Sequence, residues 1–106
     1  MNISFDFDGT IKGKNGLIFK ALEVMTNHRR RGDIIFIVTS RYENAKNKKE
    51  INAILNRFKL GNIPIFFTNG GSKIKILKKY NITIHYDNNN IKDMDSEVKI
   101  VVVKWN

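Results

Sequence analysis

Four short stretches of this chain carry residues suited to handling a phosphoryl group: Asp6-Phe7-Asp8-Gly9-Thr10, Thr39-Ser40-Arg41, Lys73 and Asp87-Asn88. Asp6 and Asp8 stand two apart, so an extended strand directs both carboxylates to one side while Phe5 and Phe7 take the other. Two carboxylates held close repel each other, and a third from Asp87 adds to the repulsion. A hard divalent cation relieves it. Mg²⁺ prefers carboxylate and water oxygens and keeps room for a substrate phosphate. One carboxylate can then attack phosphorus to give an aspartyl-phosphate, and the other can act first as acid, then as base. Thr39, with Ser40 beside it, can hydrogen-bond phosphoryl oxygens, and Lys73 can place positive charge on them as negative charge develops. There is no cysteine, and the two histidines show no ligand spacing, so zinc is not expected. Asp-x-Asp also occurs in calcium loops, in metal-dependent glycosyltransferases and in plain solvated turns. Asp-x-Asp-Gly-Thr directly after an apolar strand is a narrower signal.

The elements that must position these residues can be read from periodicity. Residues 2–7 alternate and read as a strand ending at Asp8-Gly9. Residues 9–16 carry Gly9, Gly13 and Gly16 and read as a loop. Ile18, Ala21, Leu22 and Met25 recur at helical spacing within 17–31, with Gly32 as the stop. The continuous apolar run Ile34 to Val38 marks a strand covered on both faces. A second helix is expected over 43–59, with Ile51, Ile54, Leu55 and Phe58 on one stripe and Gly61 after it. A short strand follows at Pro64 to Phe67, a third helix at 72–80, a strand at Ile82 to Tyr86 and a last strand at Val98 to Val103. The alternation predicts one α/β domain over 1–106: a three-layer, Rossmann-like, mostly parallel sheet with right-handed crossovers. Ligands in such sheets bind at the carboxyl ends of strands, where all the polar stretches fall.

The 106 residues suit one domain, and a 42% hydrophobic and 10% aromatic composition suits a packed globule. The absence of cysteine excludes disulfides and is compatible with a reducing compartment. The N-terminus places two acids where a signal peptide needs an apolar run, and no stretch approaches the ~20 apolar residues of a membrane span. A cytoplasmic protein without membrane contact is expected. The net charge of +9 attracts phosphorylated or polyanionic partners, unless it is simply a solvated Lys-rich surface.

Taken together, the four stretches resemble the haloacid dehalogenase (HAD) superfamily of phosphatases. Phe5-Asp6-Phe7-Asp8-Gly9-Thr10 looks like that family's first motif, Ile37-Val38-Thr39-Ser40-Arg41 its second, Ser72-Lys73 its third and His85-Tyr86-Asp87-Asn88-Asn89 its fourth. All four occur in family order across most of residues 2–90. The resemblance implies a HAD-like core with Asp6 as nucleophile and Mg²⁺ ligand. It implies Asp8 as general acid/base, reaching the metal through its backbone carbonyl, and Asp87 as the remaining metal ligand. Thr39, Ser40 and Lys73 would hold the phosphoryl group, and residues 9–16 would match the family's mobile segment. One position departs: the fourth motif often carries a second acid, where this chain has Asn88, with Asp93 as an unusually spaced substitute. The stretch from Thr10 to Thr39 holds only a loop and one helix, so the resemblance is to capless members with open sites.

Lys75 competes with Lys73 for the phosphate role; Lys73 is favoured because it lies nearer the helix N-terminus. Arg41 can orient substrate or sit solvated at the rim. His28 suits a helix end, and His85 and Trp105 read as packing residues. The expected activity is phosphomonoester hydrolysis on a nucleotide, a nucleic-acid end or a small phosphometabolite. The phosphatase half of polynucleotide kinases has a similar second motif, although no kinase P-loop accompanies it here. A phosphate-binding module without turnover, motivated by Asn88, and a phosphotransferase to another acceptor are the alternatives.

Overall fold

The computed structural model describes residues 1–91 and 98–105. Strand β1 spans Asn2–Phe5; the short strands β2 (Lys12–Gly13) and β3 (Gly16–Leu17) follow, then helix α1 (Phe19–Arg30) and strand β4 (Ile34–Thr39). Helix α2 (Ala45–Arg57), strand β5 (Ile65–Phe67), helix α3 (Ile74–Lys79), strand β6 (Ile84–Asp87) and strand β7 (Lys99–Val102) complete the chain. Five strands form one sheet in the order β5-β4-β1-β6-β7, and every pairing in it is parallel. The expected α/β sheet with alternating helices is therefore present.

Burial explains the layers. Ile3 and Phe5 of β1 and Ile35 and Ile37 of β4 pack under Ala21, Leu22 and Met25 of α1 and Ile51 and Leu55 of α2. Val38 faces the other side, where Leu77 of α3 and Ile82 close a smaller core. Each fully buried Leu, Ile or Phe contributes roughly 1.5–3 kcal/mol, which is what holds helices to both faces. The chain steps from β1 to β4 to β5 on one side of β1, then returns to β6 on the other. The connections after β1 and β6 therefore diverge, and a crevice opens at their carboxyl ends.

Several boundaries differ from the periodicity. The first strand ends at Phe5 rather than Phe7, because the chain turns at once: Phe7 O accepts the N–H groups of Thr10, Ile11 and Lys12. The expected loop at 9–16 contains a small antiparallel hairpin, with Lys12 opposite Leu17 and Gly13 opposite Gly16. Helix α1 consequently begins at Phe19. Asn44 caps α2 by accepting the Asn47 N–H at 2.8 Å. Gly61 does not end that helix; Lys59 and Asn62 take the left-handed backbone, with φ of 58° and 65°. Asp93 lies outside the described residues.

Candidate active site

Asp6 is the first residue past β1, and its backbone N–H is held by Tyr86 O of β6 at 2.9 Å. Its side chain points into the crevice and is almost fully buried. Asp87 ends β6, equally buried. Lys73, at the turn into α3, reaches between them: Nζ lies 2.8 Å from Asp6 Oδ1 and 2.6 Å from Asp87 Oδ2. Lys75 lies within α3 and is exposed. The sheet thus brings Asp6, Asp87 and Lys73 together.

Asp8 does not join them through its carboxylate. The turn at Gly9 (φ 81°) carries the Asp8 side chain out to the rim, where Arg41 binds both oxygens at 2.8 Å. The expectation that Asp6 and Asp8 share one side of a strand is corrected by the strand's early end. Phe5 and Phe7 do share the core, both fully buried. Thr39 is buried too; its Oγ1 accepts the Arg41 N–H at 3.3 Å, and it is Ser40 that lines the crevice.

The backbone of Asp8 nevertheless faces the centre. The Asn88 side-chain amide directs one polar atom at three oxygens: Asp6 Oδ2 at 3.1 Å, Asp87 Oδ1 at 3.2 Å and Asp8 O at 3.3 Å. Three acceptors around one atom suit the amide nitrogen, which can donate two protons among them. With a divalent cation among the oxygens, the amide can turn its own oxygen inward instead. Two carboxylates, one carbonyl and one amide oxygen form a hard donor set that suits Mg²⁺. Among the described residues no three acidic or histidine side chains gather closely enough to hold a metal by themselves; the Asp8 carboxylate borders the same cleft as Asp6 but is held at its rim by Arg41. Gly9 permits this convergence: a Cβ there would lie 2.2 Å from the Asn88 amide.

The electrostatics are asymmetric. Burial pushes Asp6 up to about 6, against the pull of the Lys73 ammonium. Burial acts upward on Asp87 as well, but hydrogen bonds from His85 and Lys73 bring it down to about 2. Burial also lowers His85, which leaves it neutral. Its Nε2–H then donates to Asp87 Oδ2 at 2.9 Å and its Nδ1 accepts the Ser4 hydroxyl at 2.6 Å. Sequence reading took His85 for packing alone. Its place two residues before Asp87 on one strand, hence on the same face, was the available signal. His28 is a buried structural residue, bonded to Asp33 and to the Tyr86 hydroxyl at 2.8 Å each. Trp105 packs on Tyr86 and donates Nε1–H to Thr10 O at 2.9 Å, so it also pins the turn that follows the acids.

Two open clefts meet at Lys73. The larger, about 510 Å³, runs between the acids and the hairpin and is walled by Lys12, Gly13 and Lys14. The smaller, about 390 Å³, passes Ser72, Ile74, Asn90 and Ile91. Ser40, Lys73 and Asn89 border both. Between β1 and β4 the chain adds only the hairpin and α1, and between β4 and β5 only α2. No helix among the described residues is long and apolar enough to cross a membrane.

No family model matches this chain, and no solved structure matches it. An uncharacterized protein of Acanthamoeba polyphaga mimivirus is 28% identical to it over 108 aligned positions, covering 81% of this chain. The chain spans only 22% of that relative's length.

Proposed function

We propose that this chain is a Mg²⁺-dependent phosphomonoester hydrolase of the haloacid dehalogenase type, built without a cap and acting through an aspartyl-phosphate on Asp6. The observation that carries the reading is the convergence of Asp6 Oδ2, Asp87 Oδ1 and Asp8 O on one point, with Lys73 bridging the two acids' other oxygens. That arrangement neutralises a buried nucleophile and leaves an open approach to it.

Mg²⁺, when bound, would be held by Asp6, Asp87, the Asp8 carbonyl and Asn88, and would draw a substrate phosphate toward the nucleophile. Burial raises Asp6, and a cation beside it favours the ionised form that attack requires. An Asp6 oxygen bonds to phosphorus as the ester P–O bond breaks, and Asp8 gives a proton to the departing oxygen. Asp8 then takes a proton from water, whose oxygen bonds to phosphorus as the Asp6–phosphorus bond breaks and phosphate leaves. Lys73 and Ser40 border the space where the phosphoryl oxygens would sit, and Lys73 offsets their charge. The open clefts suit a substrate larger than a metabolite, and the basic hairpin lysines suit a nucleotide or nucleic-acid end.

One observation favours a second reading. Turned nitrogen-inward, the Asn88 amide can donate to these oxygens, a role that an acid at this position could not fill, which fits a phosphate-binding module that needs no cation. Hydrolysis of p-nitrophenyl phosphate with and without Mg²⁺, using Asp6→Asn as control, separates the two. Mg²⁺-dependent turnover lost in Asp6→Asn, with phosphate trapped on the wild-type protein as a hydroxylamine-labile acyl phosphate, is expected. No turnover across a panel of phosphate esters would leave the binding module. A phosphorylated alcohol among the products would point to phosphotransfer.

A further inference from the structure

Arg41 is held as firmly as the acids at the centre. Its Nε and Nη2 each bind one Asp8 oxygen at 2.8 Å. Its guanidinium lies 4.8 Å above the Phe7 ring. Nη1 donates to Asn47 Oδ1 and Nη2 to Glu50 Oε2, each at 3.2 Å, and both acceptors belong to α2. Glu50 Oε2 in turn takes Lys12 Nζ at 2.8 Å, and Lys12 walls the larger cleft. The Arg41 side chain is 18% exposed, whereas that of Asp8 is 53% exposed.

An isolated ion pair at this exposure is too weak to fix a side chain. Here the cation is anchored on the core and on α2, so Arg41 is the fixed partner and Asp8 the oriented one. A planar fork sets both the position and the plane of a carboxylate, which a point charge cannot do. We propose that Arg41 is the positioning residue for Asp8, holding its carboxyl at the cleft in the orientation from which it exchanges a proton with the leaving oxygen and with water. The proposal rests on the phosphatase reading.

The fork is compatible with both half-reactions. When Asp8 carries the proton on one oxygen, the other still accepts from Arg41. As the ester P–O bond breaks and the Asp6–phosphorus bond forms, the proton passes to the departing oxygen. The ionised Asp8 then holds the full fork until it takes a proton from water. Arg41 should therefore matter in proportion to the leaving group's need for a proton. An alkoxide needs one; p-nitrophenolate does not.

The test compares kcat/KM, which reports events up to phosphoryl transfer onto Asp6, for glycerol phosphate and p-nitrophenyl phosphate in Mg²⁺. Arg41→Ala is expected to lose about 100-fold on the alkyl ester and less than about fivefold on the aryl ester. Arg41→Lys keeps the charge and the stem but not the fork, so it should follow Arg41→Ala, with melting temperature checking that both fold. Equal losses on the two esters overturn the proposal, since damaged folding or weakened phosphate attraction gives that result. A lysine variant matching wild type on the alkyl ester overturns it as well. Wild-type protein inert on both esters overturns the phosphatase reading itself and takes the Arg41 role with it.

Discussion

Lys73→Met removes the cation that bridges two buried carboxylates while keeping the length and apolar bulk of the side chain. Lys73 Nζ sits 2.8 Å from Asp6 and 2.6 Å from Asp87, and the three side chains are 11%, 6% and 1% exposed. With charge centres roughly 4 Å apart and an effective dielectric of about 20, each contact is worth about 4 kcal/mol before desolvation. The ammonium's own desolvation offsets a large part of that, and breaking a buried pair costs about 3–5 kcal/mol in total. The stranded acids can limit the cost by sharing a proton, so the upper pKa of the pair rises beyond the value of about 6 that Asp6 already has beside Lys73, and the variant gains more from acid than wild type does. A native state that binds protons more tightly than the unfolded chain gains stability as pH falls. The deficit should therefore be about 3–5 kcal/mol near neutral pH and smaller by at least about 1 kcal/mol near pH 5. Urea unfolding followed by circular dichroism at both pH values measures it. A loss below about 1 kcal/mol near neutral pH, or one that does not change with acid, would refute the view that Lys73 neutralises this pair.

Gly9→Ala forces a Cβ into left-handed backbone and within 2.2 Å of the Asn88 amide, so a loss of about 1–3 kcal/mol in unfolding free energy, seen as a lower urea midpoint, is expected. An unchanged midpoint would mean that Asn88 does not occupy that position. His85→Leu leaves the buried Ser4 hydroxyl and one Asp87 bond without a partner, at a cost of about 1–3 kcal/mol; adding Ser4→Ala should recover part of it in thermal melts. Hydrogen bonds from His28 and the N-terminal ammonium hold Asp33 below its usual range. A depressed carboxyl stabilises the fold above 3.8 and loses that contribution as pH falls through its lower native value. Asp33→Asn should thus lower the melting temperature at neutral pH, with the gap to wild type closing in acid. A gap independent of pH would exclude an ionic origin.

The alternation of apolar runs with helical stripes was enough to place the five strands of the sheet, the helices on both faces and the polar residues at strand tips, but not the small hairpin at residues 12–17. Each of those features reflects the burial of one element, and burial repeats with the local period of the backbone. That Lys73 reaches the two acids while Lys75 is exposed agrees with their positions relative to the helix start, which is a local feature. Which way Asp8 points was not. Its orientation follows from where β1 stops, from the left-handed turn at Gly9 and from Arg41, 33 residues away in sequence. Lys73 and Asp6 are 67 residues apart, and the bond between them exists only because the chain returns across β1 to lay β6 beside it. The aim of Asn88 and the Ser4-His85-Asp87 chain depend on that same strand order. Residue types determined which chemistry the chain can attempt. Only the packed sheet decided which polar atoms meet, since a buried donor must find its acceptor wherever the fold brings one within about 3 Å.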